Sequence, residues 1–182
     1  MDYQTGIVSN YIKDQDLLSR AASVLNQARN SGMAVIYVQV GFRPKFPEIS
    51  PRNAAFSVIR NSVQYQQLLA GPGAAIHASV APAADDVIVT KHRVGAFTGT
   101  DLDMILRAKD IETLILFGIS TSGVVLSTVR HAADTDYRLI VIKDCCADQD
   151  AGVHACLMDK VFPRQATVVS AAEFLQAAKA DR

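Results

Sequence analysis

Apolar positions along this chain fall into two alternating periods. From Lys13 to Ser31, Leu17, Leu18, Ala21, Val24, Leu25 and Ala28 recur at helical spacing and stop at Gly32. Met33–Val40 follows as a near-continuous apolar run, which reads as a buried strand. Residues 41–53 carry Pro44, Pro47 and Pro51 and predict a loop, with a weaker helix over 62–70 and a second loop through Pro82. Strands are predicted at 86–91, 113–119, 139–144 and 166–170. Between and after them lie helices at about 100–108, 122–134 and 150–161, and from Ala172. Thr100-Asp101-Leu102-Asp103 has the form of a capping box opening the first of these. Strands apolar on both faces, alternating with helices, predict a mostly parallel sheet covered on each side. Such sheets bind ligands at the carboxyl ends of their strands, so functional residues are sought there.

Composition narrows the class. At 182 residues with 49% hydrophobic and 20% charged side chains, the chain has the profile of one globular domain. Eighteen basic residues balance eighteen acidic ones with no basic stripe, which argues against nucleic acid or a membrane surface as partner. Apolar runs reach only about eight residues, short of the ~20 that span a bilayer, and no secretory signal is visible. Three cysteines, two of them adjacent, suggest no disulfide framework and fit a reducing, cytoplasmic setting. Neither a phosphate-binding loop nor a dinucleotide fingerprint occurs, and His77, His92, His131 and His154 lack metal-ligand spacing. No cofactor or metal is expected.

Three strand-end segments carry the candidate chemistry: Asp2-Tyr3-Gln4; Lys91 with Arg93, Phe97, Gly99-Thr100 and Leu102; and Gly118-Ile119-Ser120-Thr121-Ser122-Gly123-Val124 running on to Thr128. The last is a strand, a tight turn and a helix start, a place where free amides and the helix dipole favour negative charge. In order and spacing the three segments resemble the isochorismatase-like cysteine hydrolases, and the resemblance spans essentially the whole chain. It implies a three-layer α/β/α domain (residues 1–182) with a mostly parallel six-stranded sheet, a small-molecule substrate and homo-oligomeric assembly, to which a Val153/Leu157/Val161 helix face would contribute. By position, Asp2 would be the acid/base and Lys91 its electrostatic partner. The Ser120 and Val124 amides would form an oxyanion hole beside a non-proline cis bond at Ile119–Ser120, with Gln4, Phe97 and Thr121 around the substrate.

Two departures qualify the resemblance. The family's nucleophilic cysteine is replaced by Val124, which has neither lone pair nor labile proton, so covalent acyl transfer at this position is excluded. True isochorismatases also dispense with that cysteine, and water attacks instead; the alternatives are a catalytically silent binding or assembly protein, or a nucleophile moved to Cys145 or Cys146. Cys156 reads as core. Arg43, Arg52 and Asn53 lie in the proline-rich loop and are as readily solvated as substrate-facing. The second departure is that the family's aspartate follows an apolar strand of about five residues, whereas here only Met1 precedes Asp2. A start placed late, a fragment, a rearranged sheet or a strand borrowed from another subunit would each account for this, and a free α-amino group beside Asp2 would lower its pKa.

Overall fold

The apolar runs fold into parallel strands and the helical stretches cover them. The structure, a computed structural model, describes residues 1–14 and 16–180. Among the described residues the elements are, in chain order, α1 (Thr5–Tyr11), α2 (Leu17–Asn30), β1 (Ile36–Val40), α3 (Ala54–Asn61), α4 (Val63–Leu68), β2 (Val87–Lys91) and α5 (Leu102–Ala108). There follow β3 (Thr113–Leu116), α6 (Leu126–Asp134), β4 (Arg138–Ile142), α7 (Ala151–Cys156), β5 (Thr167–Val169) and α8 (Ala171–Ala180). None of these helices is long and apolar enough to cross a membrane.

The sheet departs from expectation. β1 pairs with β2, and β3–β4–β5 form a second parallel sheet, so five strands stand in two groups rather than six in one. The junction between them is made by the first residues of the chain. The Met1 amine donates to Phe117 O at 3.0 Å, Ile119 N donates to Met1 O at 3.2 Å, and Asp2 N donates to Val38 O at 2.7 Å. Met1–Asp2 therefore pairs with an extension of β3 on one side and with β1 on the other. It is too short to form a strand along their length.

Both faces of the strands are covered. Val38, Val89, Leu114, Leu116, Leu139 and Val141 pack with α5, α6 and Leu157. Tyr37, Ile115, Ile142 and Cys145 pack with Leu17, Ala21, Val24 and Leu25 of α2 and Phe174 of α8. Leu157 is buried in the first of these cores and only Val153 of the expected assembly face is well exposed, so that face does not exist as a continuous patch.

Caps explain several boundaries. Gly32 closes α2 at φ 70°, with Met33 N bonded back to Ala28 O at 3.0 Å. Asp110 and Asp136 do the same after α5 and α6, at φ 53° and 66°, although aspartate carries the Cβ penalty that glycine avoids. The proposed capping box is half formed. Thr100 Oγ1 accepts from Leu102 N at 3.3 Å, but Asp103 pairs with Arg107 and Thr100 N bonds to Phe97 O. α3 follows the proline-rich stretch where no element is predicted; Asn53 starts it by accepting from Phe56 N at 3.1 Å.

Candidate active site

The Met1–Asp2 segment beside β1, the end of β2 and the extension of β3 meet on the same side, and each delivers one of the three motifs. Lys91 is the last residue of β2, paired in register with Val40. Asp2 reaches the same level because its amide is tied to Val38 O. It sits at φ 56°, a left-handed conformation that a non-glycine residue adopts at a cost, and such residues cluster at functional sites. Gly118 is needed where it stands: a Cβ there would lie 2.6 Å from Met1 O, so only glycine lets the Met1–Asp2 backbone approach.

At the centre, Lys91 Nζ and Asp2 Oδ2 form an ion pair at 2.9 Å, with side chains only 3% and 7% exposed. Lys91 also donates to Arg93 O at 3.1 Å. The other Asp2 oxygen, Oδ1, is buried without a hydrogen-bond partner. A buried acceptor is normally satisfied, so Oδ1 keeps the capacity for a further hydrogen bond. Desolvation is the largest influence on Asp2 and raises its pKa; Lys91 opposes this by attraction and by hydrogen bonding. The Met1 amino group also pulls Asp2 down, as expected from the sequence, but desolvation outweighs it. That amine is itself desolvated, which lowers its own pKa to about 6, so it carries little charge at neutral pH.

The third motif closes the site. The Ile119–Ser120 bond is cis, as the resemblance implied. Residues 121–125 then form a widened, π-type turn ahead of α6. Within it, Gly123 N and Val125 N both bond to Ser120 O, Thr121 N bonds to Ala147 O, and Ser122 N bonds to Asp148 Oδ2. The Ser120 and Val124 amides take part in none of these bonds. Thr128 Oγ1 accepts from Ala96 N at 3.1 Å and locks α6 to the loop that follows Lys91. Val124 is buried in the core that also holds Ala96 and Phe97.

The remaining predicted residues are placed otherwise. Gln4 is a scaffold residue: Nε2 donates to Val40 O and Ala74 O, each at 2.9 Å, and Oε1 accepts from Val40 N at 2.8 Å. Its side-chain amide thus pairs with Val40 as a neighbouring peptide group would. Phe97 is buried with its ring stacked on His131, centroids 4.4 Å apart. Thr121 is fully buried, and its hydroxyl meets His154 Nδ1 at 2.8 Å. No motif pointed to this hydroxyl–imidazole pair, because the two residues lie on different elements 33 positions apart. Burial lowers the His154 pKa, against the opposing pull of Asp148 and Asp159.

The two adjacent cysteines that could carry a relocated nucleophile lie inside the fold. Cys145 and Cys146 are buried, and desolvation raises both, Cys146 to about 12 and Cys145 further still. Thiols held that high are almost entirely protonated at neutral pH and react poorly. Cys156, expected in the core, is exposed. In the proline-rich loop Arg43 pairs with Glu48 at 2.7 Å.

Comparison with known proteins shows the family. A model described as the isochorismatase domain matches residues 1–173. The isochorismatase family protein YecD of Escherichia coli O157:H7 is 32% identical over 167 residues, covering 89% of this chain and 83% of that protein. A maleamate amidohydrolase of Pseudomonas putida is 28% identical over 161 residues, covering 87% of this chain and 73% of that enzyme. Among solved structures, an isochorismatase family protein from Burkholderia thailandensis superposes with a TM-score of 0.82 at 28% identity, over 98% of this chain and 92% of that one. With the motifs, the cis bond and the strand-end ion pair in place, the chain belongs to the isochorismatase family.

Proposed function

We propose that this chain hydrolyses a small molecule by direct attack of water, using Asp2 and Lys91 without a thiol nucleophile. One observation carries the reading: a desolvated carboxylate whose Oδ2 is held by Lys91 while its buried Oδ1 makes no hydrogen bond of ordinary geometry. Lys91 fixes the orientation of the carboxylate, and Oδ1 is the atom available to take or give a proton. Desolvation moves Asp2 toward neutrality, the direction that suits a group acting as general base and then as general acid. Val124 supplies an apolar wall where a thiol would stand in the cysteine hydrolases.

For an amide or ester substrate the steps balance with these groups alone. Asp2 takes a proton from the attacking water as its oxygen bonds to the carbonyl carbon. The developing oxyanion is held by the Ser120 and Val124 amides, an arrangement worth about 3 kcal/mol per donor in other acyl-transfer sites. Asp2 then returns the proton to the departing nitrogen or oxygen as the carbon–heteroatom bond breaks. The similarity to a maleamate amidohydrolase supports small carboxylate-bearing amides as the first substrates to try, since Lys91 adds positive charge to the site.

A second reading has an observation of its own. Asp2, Lys91 and Val124 are all nearly inaccessible in the single chain, which favours a silent scaffold unless the loops that cover them open. A panel of small amides, esters and vinyl ethers, beginning with maleamate, separates the two. Saturable turnover that falls at least ~100-fold in both Asp2→Asn and Lys91→Ala, with circular dichroism unchanged, is the result expected of a general acid/base site. Full turnover in both folded variants refutes the Asp2–Lys91 mechanism, and no turnover across the panel favours the silent scaffold.

A further inference from the structure

Three hydrogen bonds fasten the first two residues of turn 121–125, and each comes from the segment between β4 and the end of α7. Thr121 N donates to Ala147 O at 2.8 Å, Ser122 N donates to Asp148 Oδ2 at 2.7 Å, and the Thr121 hydroxyl meets His154 Nδ1 at 2.8 Å. Gly123 N and Val125 N then bond back to Ser120 O, so the rest of the turn follows those two residues as a unit. Histidine is the side chain whose charge changes nearest to neutral pH, and His154 is the histidine of this clamp.

The hydroxyl decides which tautomer the ring holds. Thr121 is fully buried, and among the described residues its Oγ1 has no partner other than His154. A buried hydroxyl that only accepted would leave its own proton unbonded. It therefore donates to a neutral Nδ1, and the ring proton sits on Nε2. Protonating the ring puts a hydrogen on Nδ1 and takes that acceptor away. Two carboxylates act on the ring, Asp148 from the loop before α7 and Asp159 from the turn after it. Residues 121–125 carry no charge, and Tyr11 of α1, which lies near Asp148, is uncharged at neutral pH. The Asp150 carboxylate is taken up by Gly152 N and Val153 N. A charged ring thus attracts Asp148, the group that holds Ser122 N. Burial opposes that charge and keeps the ring neutral at pH 7.

We propose that His154 is a positioning residue for turn 121–125, acting through the Thr121 hydroxyl, and that it holds the Ser120 and Val124 amides in place only while its ring is uncharged. The proposal rests on reading those two amides as the oxyanion site. One proton on the ring weakens two of the three fastening bonds together: the Thr121 hydroxyl loses its acceptor, and Asp148 is drawn away from Ser122 N. The ring's part is to keep donors aimed, with no proton exchanged with substrate. Its charging should therefore lower kcat far more than it raises KM, because the donors bind charge that develops in the transition state.

Solution NMR of the intact protein tests this without a substrate. The His154 ring is titrated from about pH 4 to pH 8 while amide exchange at Ser122, Gly123 and Val125 is read as protection relative to the unfolded chain. Protection at these amides should fall at least ~10-fold as the ring charges. His154→Gln, whose side chain does not titrate, should abolish that fall even though Asp148 is still present. Thr121→Ser keeps the hydroxyl and should retain it, whereas Thr121→Val should raise the proton affinity of the ring ~3-fold. A ring that charges with no loss of protection in the turn overturns the proposal, and so does a loss that persists unchanged in His154→Gln. Because the fall must share its midpoint with the ring's own titration, the wild-type protein can refute the proposal even where the variant does not fold. For any substrate turned over, the kcat profile should carry a limb with that midpoint, absent in His154→Gln, with KM changed less than ~3-fold; identical profiles in the two proteins overturn the proposal. Asp2→Asn should leave the titration of the turn intact, so a turn that follows His154 in a protein without turnover retires the hydrolase reading alone.

Discussion

Replacing Lys91 by methionine tests the central ion pair with little change in volume. At 2.9 Å the pair is worth about 6 kcal/mol of gross attraction at an effective dielectric constant of 20. The variant leaves Asp2 buried with no counter-charge, and two outcomes compete: carrying the bare charge or binding a proton. Protonation caps the penalty. Keeping a carboxylate of ordinary pKa 3.8 protonated at pH 7 costs about 4 kcal/mol, at ~1.4 kcal/mol per pH unit. At pH 5 the same cap falls to about 1.6 kcal/mol. The lost hydrogen bond to Arg93 O adds about 1 kcal/mol that does not depend on pH. The sign follows from the raised pKa: the folded state binds the proton more tightly than the unfolded chain, so stability declines as pH rises from the unfolded value towards the folded one. Lys91→Met extends that decline upward, because the attraction that partly offset desolvation is gone. Urea unfolding between pH 5 and pH 8 is best followed by far-UV circular dichroism, since the chain contains no tryptophan. The deficit of the variant should widen with pH, and Asp2→Asn/Lys91→Met should recover most of it at pH 8. A deficit that is constant with pH, or a double variant no more stable than the single one, would show that Asp2 is not a desolvated carboxylate held by this lysine.

Two other outcomes follow from the packing. Gly118→Ala places a Cβ 2.6 Å from Met1 O and should displace the Met1–Asp2 segment, lowering stability by about 1–3 kcal/mol and abolishing any Asp2-dependent turnover; unchanged melting and activity would mean that this approach is not required. At pH 8, with a thiolate fraction on the order of one in ten thousand for a thiol of pKa about 12, Cys146 should resist iodoacetamide, and Cys145 with it, while exposed Cys156 is alkylated. Rapid modification of Cys145 or Cys146 in the folded protein, read by peptide mapping, would revive a relocated thiol mechanism.

How much of this was readable in advance varies by element. The α/β alternation was, because a strand buried on both faces and an amphipathic helix leave different periods in the sequence, and the Gly32 stop was, because glycine advertises a left-handed cap. Asp110 and Asp136, which do the same work, gave no such signal, since aspartate is equally at home on any exposed surface. The motifs located Asp2, Lys91 and the Ser120–Val124 turn, and Val124 alone removed the covalent mechanism: which atoms a side chain carries is a property of sequence. Tertiary structure decided the rest. Whether desolvation or Lys91 governs Asp2 depends on burial that no local pattern records. Gln4 became a backbone surrogate rather than a substrate contact because Val40 happened to present a free peptide edge to it. His154 met Thr121 because that encounter is set by how elements distant in the chain pack, and periodicity says nothing about what lies across the gap.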